Sequence, residues 1–550
     1  RRRVAVDLII RTCKTWVLAL ALFAPAGAGA SDSKSNVDLY WQAVRLELSE
    51  RPVEALKGYR KLLATAPDSS VAARQTLSLA VQEGDYATAL QALRTLQLKE
   101  TAESHSPLLF FVDAWRRKNW TDADNAIDDL KQRKDFAFVA PILAAWVERA
   151  QGKPSSIDPA LLREQPLLGF YADDQLVYLA LASGDIELAK KRLNAFSGFG
   201  SDYGRQLAYE AAPVLAAKGD LPFAQQMLTH VGGASNWQPA PKSGKGLSPE
   251  TAIAALFGRL SAQLRSQDAE NDALYFARLG QWIAPEDAAA RITLARALDD
   301  VGASAKAQPL LASIPADSLH WRAAVLQQAR MLSAAGDPAN ALRLTNDAVA
   351  KAPDSIELRL QLAQLHEEQS DFAAAEASYR TLNETIKASP RQKAVFKMLL
   401  AQLFDRQDKW AEAKVELEAA MVLDPQNPQL LNFLGYSLLE RRQAIKRGFE
   451  LVSRAHTLVP DSPEIADSLG WGYFLANDVE NAIPLLESAV QGSLNDVTIN
   501  EHLGDAYWHA GRKIDARYAW RAAALQAEDK VVERLESKLA IGLTASNAAP

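Results

Sequence analysis

The sequence predicts an all-helical solenoid of stacked helical hairpins, and three features carry that expectation. A 34-residue step recurs: Ala55, Ala89 and Ala123 stand 34 residues apart, as do Ala273, Ala307, Ala341 and Ala375, and again Gly448, Ala482 and Ala516. A Gly-Asp pair lies a few residues before several of these small residues or their equivalents, at Gly84-Asp85, Gly184-Asp185, Gly219-Asp220 and Gly336-Asp337. A proline closes many units twelve residues on, at Pro67, Pro285, Pro353, Pro425 and Pro460. A fixed period of this length is the mark of a repeat array, and it overrides the three or four domains that 550 residues would otherwise suggest.

Each feature has a mechanical reading. The unit is two amphipathic helices joined by a tight turn. The Gly-Asp pair ends the first helix and turns the chain. The small residue sits where the two helices cross closely, and a large apolar residue four positions later (Tyr59, Leu93, Ile127, Leu311, Tyr379, Leu417 or Trp520) packs one turn along the same face. The closing proline ends the second helix. One hairpin cannot bury its own apolar face, so units stack. About fourteen units are anchored near Ala55, Ala89, Ala123, Ile157, Ala189, Ala224, Ala273, Ala307, Ala341, Ala375, Ala413, Gly448, Ala482 and Ala516. The Ile157 unit is the weakest, because Pro154 and Pro159 interrupt it.

The ends and one break differ in character. Residues 1–30 read as a secretory signal peptide: Arg1, Arg2, Arg3, Arg11 and Lys14, then an apolar stretch from Trp16 to Pro25, then the small-x-small Ala28-Gly29-Ala30. The apolar stretch is shorter than the roughly 20 residues a bilayer span needs. Cys13, the single cysteine, leaves with this leader and lies before the apolar stretch, so it is not placed to carry a lipid. Removal of the leader leaves 56 basic and 66 acidic residues, a net charge of −10. The mature chain is thus expected in a bacterial periplasm, with no transmembrane segment. A Gly/Pro/Ser-rich stretch at 232–250 is expected to be a hinge or loop between an N-terminal array (31–231) and a C-terminal array (251–525), with Trp237 available to pin it to a helix face. Residues 526–550 read as a capping helix to Ile541 and a disordered tail from Thr544.

The upstream half of the unit repeats as well. Leu431-x-x-Leu434-Gly435 recurs as Leu469-Gly470 and Leu503-Gly504, with Tyr473 and Tyr507 three residues after the glycine. On these residues the sequence resembles the tetratricopeptide repeat family. The resemblance implies a right-handed superhelix whose concave wall, lined by first helices, binds other proteins. It implies groove positions at Gln364, Glu367, Gln402, Asp405, Asn432, Tyr436, Asp467, Trp471, Phe474, Glu501, Asp505 and Trp508. This acidic and aromatic set suits a partner segment of basic or polar character. It departs from the Lys, Asn and Arg set with which some members grip a C-terminal carboxylate.

The block Leu434-Gly435-Tyr436, Asp467-Ser468-Leu469-Gly470-Trp471 and His502-Leu503-Gly504-Asp505-Ala506-Tyr507-Trp508 resembles periplasmic tetratricopeptide proteins of proteobacteria. Some relatives of these are outer-membrane adaptors that bring a carboxyl-terminal processing protease together with peptidoglycan hydrolases. The resemblance therefore implies an envelope adaptor for such partners. The alternative is a structural component of a polysaccharide or protein export machine.

The residues of chemistry argue the same way. The net charge of −6 and the lack of a basic tract give no case for nucleic acid. The seven histidines are scattered, and His366-Glu367-Glu368-Gln369-Ser370 lacks the second histidine of a zinc-protease motif. No phosphate loop, nucleophile elbow or dinucleotide fingerprint is present. The expectation is a non-catalytic protein without cofactor, metal or catalytic residue.

Overall fold

A computed structural model of the chain describes residues 30–98, 102–133, 135–155, 157–231, 237–239, 247–384 and 388–549. The expected leader lies outside these residues except for Ala30, as does most of the 232–250 stretch. Among the described residues there are 29 α-helices and no strand. In chain order they form fourteen successive helix pairs, from Ala30–Leu48 with Pro52–Thr65 to Val497–His509 with Lys513–Ala524, and a final single helix, Asp529–Ile541.

The local signals act as the sequence implies. Gly84, Gly184, Gly219, Gly336 and Gly511 all have positive φ and stop a first helix. The aspartate that follows caps the second helix: the Asp85, Asp185 and Asp220 carboxylates accept from the backbone N–H of Thr88, Leu188 and Phe223. Second helices end two residues before the closing prolines, at Thr65, Ile283, Lys351, Leu423 and Leu458, because the residue before a proline is pushed out of the helical region.

The crossing is where the period is enforced. Every anchoring alanine from Ala55 to Ala516 is completely buried. The large residues four positions on, among them Tyr59, Leu93, Tyr379 and Trp520, are buried with them. In the hairpin Pro428–Glu440 and Ile445–Leu458 both crossing residues are glycine. A Cβ on Gly435 would stand 2.9 Å from the Gly448 carbonyl oxygen, and one on Gly448 would stand 2.9 Å from that of Gly435. The expected Ile157 unit is the exception. Ile157 is buried, but it lies before the six-residue helix Pro159–Glu164, which buries none of its side chains. Pro159 starts this helix afresh, so no second helix crosses Ala140–Ala150 in the usual way.

The chain divides into two compact units, Arg1–Asp337 and Pro338–Pro550. This division differs from the expected one at 232–250. Helices from both sides of that stretch share one core in the first unit. Arg259, on Pro249–Arg265, pairs with Asp174 at 2.9 Å, both buried. Gln175 accepts from Trp146 Nε1 and donates to the Ala252 carbonyl. Trp115 Nε1 donates to Glu250. Arg278, on Glu270–Ile283, donates to the carbonyls of Val81 and Gln82, and burial pushes its pKa down to about 10. Lys306 pairs with Glu83. The hairpin Pro249–Ile283 thus packs against helices laid down 77 to 197 residues earlier. Of the stretch itself, Trp237 packs on this core, and its carbonyl accepts from Gln225.

A cut at 337/338 is therefore expected to give two fragments that each melt cooperatively by calorimetry. A fragment of residues 31–239 loses the hairpin that covers Trp115, Gln175 and Val81. It is expected to bind a hydrophobic dye strongly and to melt without a sharp transition. A cooperative melt of 31–239 would show that the covering hairpin is dispensable.

Candidate functional site

All twelve groove positions fall in the second unit, on the first helices Ile356–Glu368, Pro390–Asp405, Pro428–Glu440, Pro463–Leu475 and Val497–His509. Their acids do not stand free. Each reaches a basic group carried on or just after the next first helix. Glu367 accepts from Arg406 at 2.5 Å, and Asp405 from Arg441 at 2.7 Å. Asp467 accepts from His502 Nδ1 at 3.0 Å. Glu501 takes both arms of Arg534, and Asp505 takes Lys538. The acids form a ladder of ties between neighbouring hairpins.

The ladder is most buried at its end. Lys538 is wholly inaccessible and donates to Glu501 and Asp505 at 2.7 Å. Trp520 Nε1 and the Ala549 N–H complete the Asp505 carboxylate. Burial raises Glu501, but Arg534 and Lys538 outweigh it and hold the carboxyl below its ordinary range. At Asp505 burial wins, and the pKa is raised despite Lys538. The tail expected to be disordered is ordered through this contact. Asn547 accepts from the Thr544 N–H and donates to the Gly542 carbonyl, and Ala549 is buried.

Two of the four aromatic groove positions are packing residues to different degrees. Trp471 is 1% exposed, stacked between His502 at 4.0 Å and Phe474 at 4.7 Å. His502 and Asp467 resemble an acid–base dyad, but the pair is sealed beneath that ring, so it fixes the imidazole. Trp508 is half-buried. It packs on Trp520 at 5.3 Å and under the Gly542 backbone, with Lys513 and Arg517 near its ring. Gln364 and Gln402 remain exposed, and Asn432, Tyr436 and Phe474 are half-buried. The reading of Asp467, Trp471, Glu501 and Asp505 as accessible partner contacts is therefore corrected. The ties of Glu501 and Asp505 to Arg534, Lys538 and Ala549 are invisible to a repeat pattern that ends near 525.

The first unit contains a cavity of about 640 Å³ that the sequence did not announce, lined by Tyr40, Glu47, Gln75, His105, Asp272 and Tyr275 among others. Glu103, His105 and Asp272 meet there, with one potential ligand atom from each lying within 4.8 Å of the others. Burial pushes the His105 imidazole below its ordinary range, and Asp272 and Glu103 pull against this. No motif could have signalled the group, because Asp272 arrives with the hairpin that packs back on the early helices.

Paired helices at this spacing, crossing at a small residue and stacked through their first helices, define an α-helical repeat protein. A profile of the tetratricopeptide repeat matches residues 332–403. The chain thus carries tetratricopeptide repeats, and proteins built of such repeats generally act as non-catalytic scaffolds that bind other proteins. It is similar to a TPR repeat-containing protein of Pseudomonas aeruginosa, PA4667, with 29% identity over 183 residues, which is 33% of this chain and 30% of the relative's length. Among solved structures it is similar to yeast Tom70 (TM-score 0.37, 13% identity, 92% of this chain and 96% of that one). It is also similar to the Cut9-Hcn1 assembly of the APC/C (TM-score 0.36, 13% identity, 92% and 96%). P. aeruginosa pilF gives a TM-score of 0.29 at 19% identity, over 33% of this chain and 81% of that one. No helix among the described residues is long and apolar enough to cross a membrane.

Lys538→Ala leaves the buried Asp505 carboxylate without a cation and Glu501 with Arg534 alone, and is expected to cost about 3–5 kcal/mol, read as a lowered melting temperature of the second unit. Trp508→Ala should lower the same melting temperature by removing the ring between Trp520 and Gly542. An unchanged melt in Trp508→Ala would show that the ring serves the wall alone and adds nothing to the packing.

Proposed function

We propose that this chain is a non-catalytic adaptor of the bacterial cell envelope, exported to the periplasm, that holds an extended segment of another envelope protein along the first helices of its second unit. The supporting observation is the wall left once the acid ladder is satisfied. Gln364 and Gln402 are exposed on successive first helices, and Asn432, Tyr436, Phe474 and Trp508 follow, half-buried. Amides and aromatic rings together make a surface that binds through area and hydrogen bonds. The leader-like residues 1–30 support export. The terminal block from Leu434 to Trp508, with its resemblance to periplasmic adaptors, supports a carboxyl-terminal processing protease or a peptidoglycan hydrolase as the bound protein.

A photo-cross-linking residue placed at Gln402 should capture such a partner in intact cells. The same residue at Val422, which is 82% exposed on a second helix, should not. Mass spectrometry of the adduct identifies the partner. Equal capture from both positions, or capture from Val422 alone, would remove the wall from the mechanism. Because the acids are already paired, partner binding is expected to weaken only slightly as salt rises.

A further inference from the structure

We propose that Glu103, His105 and Asp272 form a binding site for one divalent first-row transition cation, of the zinc class, which ties the turn before helix Pro107–Arg116 to helix Glu270–Ile283. Three observations carry it. The first is the donor set. One imidazole nitrogen and two carboxylate oxygens lie within 4.8 Å of one another, close enough for a single ion to draw in, and this mixture suits borderline cations better than magnesium or calcium.

The second is the charge that the described residues leave on the group. Glu103 and Asp272 bring two carboxylates together, and among the described residues no lysine or arginine pairs with either. His105 Nε2 stands 3.9 Å from Glu103, beyond a hydrogen bond. In the second unit the close-set carboxylates of Glu501 and Asp505 are answered by Lys538. A divalent cation would supply that missing charge here. The third is the Tyr275 hydroxyl. Tyr275 is 95% buried, lines the same cavity and lays its ring 4.5 Å from His105, and its hydroxyl, with the Leu109 backbone N–H nearby, makes no close hydrogen bond among the described residues. A water held by the ion in one of the positions that three protein ligands leave open would give this hydroxyl a partner.

The frame is suited to hold such an ion. Glu103 and His105 sit in a turn fixed by the Ser106 N–H to the Glu103 carbonyl and the Leu108 N–H to the His105 carbonyl. The ring of His105 is packed by Phe136, Tyr275 and Phe276, which sets its orientation in advance. Asp272 stands in the first turn of its helix, three residues before Tyr275.

The test uses the untagged full chain, treated with a chelator and dialysed, with zinc chloride as the probe in calorimetry and cobalt(II) as a spectroscopic substitute. One zinc ion per chain is expected to bind, to raise the melting temperature of the first unit, and to be unaffected by excess calcium or magnesium. Asp272→Asn and Glu103→Gln lie at accessible positions that leave the fold intact by circular dichroism, and each should weaken zinc binding at least about tenfold. His105→Gln should abolish the cobalt band expected from nitrogen ligation. The proposal is overturned if the chain shows no saturable zinc binding, if the Asp272→Asn, Glu103→Gln double variant binds zinc as tightly as the parent, or if calcium displaces zinc. In those cases His105 is a packing ring and the acids belong to the cavity rim.

Discussion

The close crossing of two helices at a residue without a bulky side chain is the constraint on which this structure depends. Ala55, Ala123, Ala273, Ala413 and Ala516 are completely buried at their crossings, so any larger side chain would have to push two backbones apart in a densely packed interior. Because the crossing fixes where the second helix meets the first, it also fixes the turn before it and the length of both helices. The 34-residue step follows from that geometry. Gly448 replaces alanine where Gly435 faces it, and there the backbones approach closer still.

Given such hairpins, stacking needs specific ties as well as apolar area. In the second unit the ties are acids of one first helix bonded to basic groups of the next, from Glu367–Arg406 to Asp505–Lys538. In the first unit they run across much longer separations. Arg259 reaches Asp174, and Arg278 reaches the carbonyls of Val81 and Gln82 at the end of an early helix. The guanidinium of Arg278 meets helix-terminal carbonyls, which carry partial negative charge and need donors. A repeat array held by neighbour contacts alone can be cut at any step. The first unit departs from that rule because the hairpin Pro249–Ile283 closes on helices far back in the chain.

This contrast decides what the sequence makes legible. Crossing alanines, Gly-Asp turns and closing prolines act within one hairpin, so their spacing exposes the fold directly. The ladder was half legible. The repeat pattern places Glu501 and Asp505 on a first helix, but Arg534 and Lys538 lie beyond the last recognisable repeat. Without them the acids look free. The Arg259–Asp174 pair and the meeting of Glu103, His105 and Asp272 left no trace, because nothing local says which hairpin will pack on which. The stretch 232–250 reads as a break in the array for a sound reason: its glycines and prolines interrupt the period. Composition cannot say whether the helices beyond such a break form a new core or complete the old one.

The placement of charge then bears on how the second unit would hold a partner. A buried carboxylate is costly unless it is paired and hydrogen-bonded. Each wall acid has such a partner within the chain, so little unpaired charge is left to face outward at those positions. What remains accessible at the expected groove positions is Gln364, Gln402, Asn432 and the half-buried rings of Tyr436, Phe474 and Trp508. Amides offer donors and acceptors at once, and rings offer area with few rotors to freeze. Such a wall selects by shape and backbone hydrogen bonding more than by sign of charge. The ion pairs set the stacking of the hairpins, and in the proposed function recognition would fall to the uncharged residues between them.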